Sequence, residues 1–460
     1  MPPGTRKPRR RGRSADPARL AAYSVVHAVS VRDAYANLAL SATLRERGLA
    51  GRDAGFATEL ANGTLRRRGT YDAVLDRCVN RPLRGLDTEV LDVLRLGTHQ
   101  LLGMRVPAHA AVATSVDLAR EVAGVGPSMF VNAVLRKVAA RDLDGWLTVV
   151  APPYDEDPLG HLAVVHAHPR WIAAAVKDAL GDAAAETADA LAADNEPARV
   201  TLAAWPGRAT VDELRAAGAE PGSWSPYAAV LAEGDPSALD AVAQGRAGVQ
   251  DEGSQLVALA LARVPVDGRD PRWLDLCAGP GGKSALLAGL AAERSARLLA
   301  VERQPHRAAL VRRALADGAG VLGTLIADGT RPPWQPGSFD RVLVDVPCTG
   351  LGALRRRPDA RWRRQPEDVD ALVPLQTRLL EAALDSVRSG GVVGYVTCSP
   401  HVRETRGVVD AVLAGRHDVE RLDARPYLSG VPDLGTGPDI QLWPHRHHTD
   451  AMYLALLRRM

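Results

Sequence analysis

The fold of the C-terminal half is decided by residues 272–283, which read RWLDLCAGPGGK. The short apolar run predicts a buried strand, and the glycine-rich turn after it predicts the start of a helix. Glycines in such a turn let the backbone approach a ligand closely, although many α/β proteins turn a corner in the same way. The turn matches neither GxGxxG nor GxxxxGK[ST], which weakens the dinucleotide and P-loop interpretations.

Strands and helices alternate through the rest of this half. Further strands are predicted from apolar runs at 296–301, 321–327, 340–346 and 391–397, with weaker ones near 417–422 and 451–456. Helices are predicted after Gly282, Gln304, Glu367 and Val402. This alternation is typical of a parallel sheet with helices on both faces, so residues 248–460 are predicted to form a Rossmann-like α/β domain.

Acidic residues end two of the predicted strands. Glu302 ends the strand after the glycine-rich turn, where a carboxylate can accept the hydroxyls of a ribose, and Asp328 ends the next one. One acid at a strand end is ordinarily structural. A loop and two acids at three consecutive strand ends favour a nucleoside-binding crevice.

Three of the four cysteines also fall at predicted strand ends. Cys277 lies in the glycine-rich turn, Cys348 follows Asp345 in DVPC, and Cys398 follows the strand that ends in GYVT. A free cysteine is more often a small buried hydrophobe, and Cys78 in a predicted helix fits that description. The positions of the other three favour a catalytic role over simple packing. The absence of CxxC spacing argues against a zinc ribbon or a thioredoxin-type site.

The N-terminal part has a different character. Residues 1–16 form a basic arm that we expect to be disordered, and 17–145 show helical spacing that predicts an all-helical domain. Residues 146–247 are predicted to be a linker and a small α+β insert. The sequence has no signal-peptide run and no apolar stretch of ~20 residues, so we expect a cytoplasmic protein without membrane spans.

Basic residues are clustered in two places, 6–13 and 354–364, and the second cluster contains Trp362. Such clusters are typical of phosphate binding, with the aromatic ring available to stack on a nucleotide. The alternative is a solvated run of charge, and for the N-terminal arm the two interpretations are equally supported.

Several of these motifs together resemble one family. DLCAGPGGK (275–283), DVPCTGLGALRRRPDARW (345–362) and YVTCSP (395–400) are similar to the bacterial ribosomal-RNA 5-methylcytosine methyltransferases of the RsmB, Sun or Fmu group. The resemblance extends over nearly the whole chain, and FVNAVLRK (130–137) resembles part of the NusB fold, a helical RNA-binding module. The paired PC and TC motifs make the resemblance specific.

The resemblance implies an S-adenosylmethionine-dependent enzyme that methylates carbon 5 of cytosine in ribosomal RNA, most simply 16S rRNA. Cys398 would be the nucleophile, Cys348 would assist product release, and Asp345 would face both cofactor and base. The implied cofactor-binding residues are Cys277, Ala278, Gly279, Pro280, Gly281, Gly282, Lys283, Glu302, Arg307, Asp328 and Asp345. We expect a monomer without a metal. The alternatives are a transfer-RNA methyltransferase and a non-catalytic RNA-binding factor with a degenerate methyltransferase domain.

Overall fold

The computed structural model describes residues 15–232 and 234–460, which form two compact units. The helical unit extends to Ala173 and includes Arg356–Arg363, and the sheet unit comprises Ala174–Arg355 and Arg364–Met460. Most of the predicted basic arm, residues 1–14, lies outside the described residues. Within the described ranges, no helix combines the length and the apolar character that crossing a membrane requires.

The helical unit contains nine helices in its N-terminal part, as far as the structure describes it. The first helix begins where Asp16 accepts a hydrogen bond from the backbone N–H of Arg19 and a proline occupies the first turn. The helices are α1 Pro17–Arg32, α2 Ala36–Glu46, α3 Gly51–Arg66, α4 Arg68–Cys78, α5 Thr88–Leu102, α6 Ala108–Val122, α7 Val125–Val138, α8 Leu143–Val150 and α9 Pro158–Val165. Their apolar faces enclose one core that includes Val25, Leu60 and Leu94.

The predicted all-helical N-terminal fold is therefore confirmed. Helices α8 and α9 also belong to the helical unit. The boundaries at 145 and 247 stay predictions.

The sheet unit alternates strands and helices after an opening helical stretch. Its helices, counted on in chain order, are α10 Arg170–Leu180 (which starts before the unit boundary), α11 Thr187–Ala193, α12 Val211–Ala216, α13 Asp240–Ala243, α14 Glu252–Arg263, α15 Gly282–Ala292, α16 Pro305–Leu315, α18 Pro366–Ser386, α19 Arg406–Ala414 and α20 Pro444–His447; α17 Ala360–Arg363 belongs to the helical unit. Its strands are β1 Val200–Ala204, β2 Ala219–Pro221, β3 Ala228–Leu231, β4 Ala247–Val249, β5 Arg272–Asp275, β6 Arg297–Glu302, β7 Val321–Ile326, β8 Phe339–Asp345, β9 Val387–Thr397, β10 Val419–Leu422, β11 Ile440–Gln441 and β12 Tyr453–Arg459.

The large sheet has the order β10-β12-β9-β8-β5-β6-β7, with β11 paired to β12. Strands β5 to β9 pair in parallel, whereas β12 runs antiparallel to β9 and to β10. Apolar cores lie on both faces, one lined by α14 and α15 and the other by α18 and α19. The predicted Rossmann-like α/β fold is confirmed, and the two weak C-terminal runs are the antiparallel strands.

The connections between the parallel strands reverse direction once within the large sheet. From β5 the chain moves to β6 and β7 on one side, and then crosses back to β8 and β9 on the other. The strand order therefore reverses between β5 and β8. Ligands of open α/β sheets bind at the carboxyl ends of strands at such a reversal.

The α+β insert is a four-stranded antiparallel sheet with the order β2-β3-β1-β4. The sequence predicted one of these strands, β1, and the helix near α12. The other three are only three or four residues long, too short to show a clear alternation of apolar and polar residues.

Candidate active site

The residues predicted at strand ends meet at the reversal of strand order. The glycine-rich loop joins β5 to α15, Glu302 ends β6, Asp328 follows β7, and Asp345 ends β8. Cys398 directly follows β9. Because all five strands are parallel, these residues lie along one edge of the sheet.

Two glycines of the loop allow neighbouring residues to approach its backbone closely. Gly281 has φ +115°, and a Cβ built there would lie 2.7 Å from the Cβ of Ala314. A Cβ at Gly279 would lie 2.2 Å from a carboxylate oxygen of Glu302. The backbone of this loop is therefore packed closely against Glu302 and α16, directly before the first turn of α15.

Glu302 is fixed by the loop and by the start of the next helix. Its carboxylate accepts hydrogen bonds from the backbone N–H of Gly279 at 3.1 Å and of Gln304 at 2.8 Å. Arg307 donates to the carbonyl oxygen of Gly279 at 2.6 Å and lies 3.6 Å from Glu302. The acid is thus held rigidly, with 6% of its surface exposed.

Asp328 follows β7, and a local turn holds its side chain in place. Its Oδ1 accepts hydrogen bonds from the backbone N–H of Thr330 at 3.0 Å and from the Thr330 hydroxyl at 2.8 Å. These bonds lower the pKa of Asp328 below its ordinary value. A charged acceptor therefore stands at the third strand end.

Lys283 joins the glycine-rich loop to the end of β8. Its Nζ donates to Oδ2 of Asp345 at 2.9 Å, and both side chains are largely buried. Burial lowers the pKa of Lys283, but the carboxylate of Asp345 outweighs it and the net shift is upward. This ion pair, whose charges balance, lies beside the two cysteines described next.

The two cysteines at the ends of β8 and β9 touch each other. The Sγ atoms of Cys348 and Cys398 lie 3.2 Å apart. The hydrogen bond with Cys348 lowers the pKa of Cys398 against burial and the carboxylate of Asp345, and the charge of Lys283 adds to the lowering. That hydrogen bond, burial and the carboxylate of Glu404 raise the pKa of Cys348. The arrangement favours thiolate at Cys398 and thiol at Cys348.

The other two cysteines lie in surroundings that suppress ionisation. Burial and the neighbouring carboxylates raise the pKa of Cys277 well above its ordinary value. Burial also raises the pKa of Cys78 in the helical unit, as expected for a structural cysteine. Cys277 is thus placed in the loop, where its backbone can contribute, but its thiol is unsuited to nucleophilic attack.

Below the loop lies an acid that the sequence did not single out. Asp275, the last residue of β5, is buried and accepts a hydrogen bond from the Ser284 hydroxyl at 2.6 Å. Burial raises the pKa of Asp275 to about 7. The hydrogen bond ties the strand to the first turn of α15 and so supports the loop from beneath.

Glu404 is a second residue to which the sequence assigned no role. Its carboxylate accepts hydrogen bonds from the backbone N–H of Thr349 at 2.8 Å, from the Thr349 hydroxyl, and from the Ser399 hydroxyl at 2.7 Å. Thr349 follows Cys348 and Ser399 follows Cys398. The Gln376 side chain donates to the same carboxylate at 3.0 Å. One buried acid thus ties together the two loops that carry the cysteines.

The arginine cluster at 354–364 requires a correction. Arg361 is fully buried and donates to the carbonyl oxygens of Arg66 and Ala167 in the helical unit. The Trp362 indole N–H donates to the carbonyl oxygen of Leu65 at 2.8 Å, and its ring lies against Gly69. The prediction that this cluster grips phosphates and stacks on nucleotides is therefore wrong for these side chains.

Other members of the cluster also have structural partners. Arg363 pairs with Asp33 at 2.6 Å and with Asp359 at 3.0 Å. Arg355 is buried and donates to the carbonyl oxygen of His448 at 2.9 Å. Only Arg356 and Arg357 of the cluster are exposed in the described structure.

Two family models match this chain. Residues 261–458 match 16S rRNA methyltransferase RsmB/F, and residues 16–140 match the NusB family. A putative methyltransferase of Mycobacterium tuberculosis is 56% identical over the full length of both chains. The probable ribosomal RNA small subunit methyltransferase B of Bacillus subtilis is 30% identical, over 93% of this chain and 95% of the relative. The corresponding protein of Pseudomonas syringae is 33% identical over 91% of each chain.

Solved structures share the fold. The crystal structure of PH0851 matches 98% of this chain and 100% of its own, with a TM-score of 0.78 and 22% identity. The crystal structure of NSun6 from Pyrococcus horikoshii with SFG matches 64% of this chain and 99% of its own, with a TM-score of 0.54 and 18% identity.

Proposed function

This chain belongs to the family of 16S rRNA methyltransferases RsmB/F, and we propose that its sheet unit uses Cys398 to methylate carbon 5 of a cytosine in small-subunit ribosomal RNA. Ribosomal RNA methyltransferase activity follows from family membership. The proposal adds the nucleophile, the residues that hold the cofactor, and the subunit that supplies the RNA. The observation that carries it is the 3.2 Å contact between the Cys348 and Cys398 sulfur atoms, beside Lys283 and Asp345.

The crevice residues fit S-adenosylmethionine, which supplies the methyl group when bound. The absence of a side chain at Gly279 lets the loop backbone lie directly against Glu302, so the loop and this acid are held together at one strand end. In this proposal the loop 277–283 holds the amino-acid part, and Glu302 holds the ribose hydroxyls with Arg307 as its support. Asp328 accepts from the adenine amino group, and Asp345 lies between the cofactor and the target base.

Carbon 5 of cytosine is too electron-poor to take up a methyl group unaided. The Cys398 thiolate forms a bond to carbon 6, and the displaced electron pair makes carbon 5 nucleophilic. After carbon 5 gains the methyl group, its hydrogen leaves as a proton. The carbon 6–sulfur bond then breaks, and its electron pair returns to Cys398. The proton from carbon 5 passes to water, and the Cys348 thiol, 3.2 Å from Cys398, is positioned to assist this release by donating a hydrogen bond to the departing sulfur.

Asp345 and Lys283 complete the site. The Lys283 ammonium occupies one carboxylate oxygen of Asp345, which orients the acid at the end of β8. In the proposed complex the other carboxylate oxygen of Asp345 accepts a hydrogen bond from the amino group of cytosine and so orients the base for attack. A base within a duplex cannot enter such a crevice, so the target cytosine is single-stranded or flipped out.

The RNA partner is supported by both family matches, since NusB-type and RsmB/F-type domains occur together in this chain. The small subunit is favoured over transfer RNA because relatives that span 91% or more of the chain carry that substrate in their names. A non-catalytic role is disfavoured by the intact pair of cysteines beside Lys283 and Asp345.

Bisulfite sequencing of ribosomal RNA from a deletion strain and its parent tests this function. The proposal expects one or a few cytosines of the small-subunit RNA to lose protection from conversion in the deletion strain. A plasmid carrying the wild-type gene should restore protection, and one carrying Cys398→Ala should not. Protection lost from transfer RNA alone would assign the other substrate, and an unchanged pattern in both RNAs would contradict the proposal.

A further inference from the structure

A groove of about 540 Å³ opens in the sheet unit beside the loop that carries Cys398. One wall is the C-terminal half of α10 and the turn after it, with Ala175, Lys177 and Asp178. The other wall is formed by His401, Val402, Arg403 and Arg406. This segment begins three residues after Cys398. The groove is thus continuous in sequence with the proposed nucleophile.

Three cations line this groove. Lys177 and Arg406 are exposed, and Arg406 donates to the backbone carbonyl oxygen of Asp178 at 3.4 Å, so the two walls approach each other there. Arg403 pairs with Asp370 at 2.7 Å, but both side chains are more than half exposed. Such exposed ion pairs contribute ~0–1 kcal/mol, so a phosphate can replace the aspartate at little cost.

The groove lining contains one carboxylate, Asp178, beside its three cations. Asp370 pairs with Arg403, and Asp182 is exposed in the turn after α10, whereas Glu404 lies between the two arginines in sequence but points inward. The hydrogen bonds of Glu404 to Thr349 and Ser399 fix the segment 401–406 relative to both cysteine loops. A ligand held by Arg403 and Arg406 would therefore be placed at a defined distance from Cys398.

We propose that this groove binds the phosphodiester backbone of the RNA strand next to the target cytosine, with Lys177 and Arg406 as its main phosphate contacts. This inference rests on the proposed function, because it takes RNA as the substrate of the Cys398 site. The single strand on either side of the target cytosine carries one negative charge per phosphate. Cations along its path bind these phosphates and contribute most of the sequence-independent affinity of a protein for RNA. Arg355, Arg361 and Arg363 are engaged in packing, whereas Lys177 and Arg406 are exposed in the groove.

The test compares Lys177→Ala/Arg406→Ala with Arg312→Ala/Arg313→Ala, an equal charge change at exposed positions on α16. The probe is a short single-stranded RNA containing cytosines, titrated at several salt concentrations by fluorescence anisotropy. The groove variant should bind about tenfold more weakly or worse, with a log–log salt slope reduced by ~1.4, because each phosphate contact contributes ~0.7. The α16 variant should keep the wild-type affinity and slope.

Equal binding by the groove variant and the wild type would overturn the groove assignment, as would equal weakening in both double variants. S-adenosylmethionine titration of the groove variant should match the wild type and so verifies folding. The proposed function fails separately, if wild-type protein bound to the same RNA forms no 5-methylcytosine. In that case a selective binding loss in the groove variant would still establish a phosphate site.

Discussion

Glu404 accepts hydrogen bonds from both the backbone N–H and the hydroxyl of Thr349, the residue that follows Cys348. Because Ser399, next to Cys398, donates to the same carboxylate, the acid fixes the spacing of the two thiols. Glu404→Ala should lower kcat much more than it raises KM, since it disturbs the cysteines and leaves buried donors without an acceptor, at ~1–3 kcal/mol each. Steady-state methylation kinetics measure this.

Two variants accompany that measurement. Glu404→Gln keeps one oxygen and the side-chain shape, and rotating hydroxyls can accept from its amide, so it should recover part of kcat. Glu420→Ala, an exposed acid on β10, should match the wild type. A Glu404→Ala enzyme with unchanged kcat would remove the positioning role.

The cofactor crevice makes a prediction about Glu302. Glu302→Ala should weaken S-adenosylmethionine binding about tenfold or more, because a hydrogen bond to a charged group contributes ~1.5–3 kcal/mol. Asp328→Ala should weaken it in the same direction, whereas Glu293→Ala, an exposed acid at the end of α15, should have no effect. Isothermal titration gives the affinities, and wild-type values for both crevice variants would refute the assignment.

Asp275 makes a prediction about pH. Its pKa rises from 3.8 in the reference state to about 7 in the folded protein, so the folded state binds more protons between about pH 4 and pH 7. This carboxyl group therefore stabilises the fold at low pH and loses that contribution as pH rises, by ~1.4 kcal/mol for each pKa unit. Asp275→Asn keeps an acceptor for Ser284 and removes the titration.

Urea unfolding at pH 5 and pH 8 measures this effect. The stability of Asp275→Asn relative to the wild type should increase from pH 5 to pH 8. A difference that is constant with pH would mean that Asp275 does not titrate in this range.

The packing of the arginine cluster at 354–364 leads to a prediction about stability. Arg361→Ala should destabilise the helical unit by a few kcal/mol, because it empties a buried site and leaves the carbonyl oxygens of Arg66 and Ala167 without their donor. Arg357→Ala, at an exposed position, should leave the thermal midpoint unchanged. If Arg361→Ala kept the wild-type midpoint and weakened RNA binding instead, the cluster would return to its predicted role in phosphate binding.

The sequence predicted the large sheet and the strand-end residues well, because both depend on local patterns. The apolar run at 340–346 and the glycine-rich loop each carry their signal within a few residues, and parallel strands bring Asp345 and Cys398 to one edge. The antiparallel strands β2, β3 and β4 were not predicted, since they are too short for a period to show.

The errors and omissions at the site share one physical cause. Trp362 lies among arginines in sequence, but its partner is Leu65, which is 297 residues away. Glu404 and Thr349 are 55 residues apart, so nothing near either residue shows that they meet. The sequence also left the roles of Cys348 and Cys398 symmetric. The resemblance to the family, and not the residues themselves, assigned Cys398 as the nucleophile, and that assignment stays a prediction.

Covalent catalysis by Cys398, with release assisted by Cys348, is the central claim, and trapping of the adduct tests it most directly. Purified Cys348→Ala, Cys398→Ala and wild-type protein are incubated with substrate RNA, with and without S-adenosylmethionine, and separated by denaturing electrophoresis. The Cys348→Ala protein should accumulate a protein–RNA adduct only when S-adenosylmethionine is present, because it transfers the methyl group but fails to eliminate. The Cys398→Ala protein should form no adduct and no 5-methylcytosine. An adduct trapped by Cys398→Ala instead would exchange the two roles, and activity retained in Cys398→Ala without an adduct in either variant would contradict covalent catalysis by this pair.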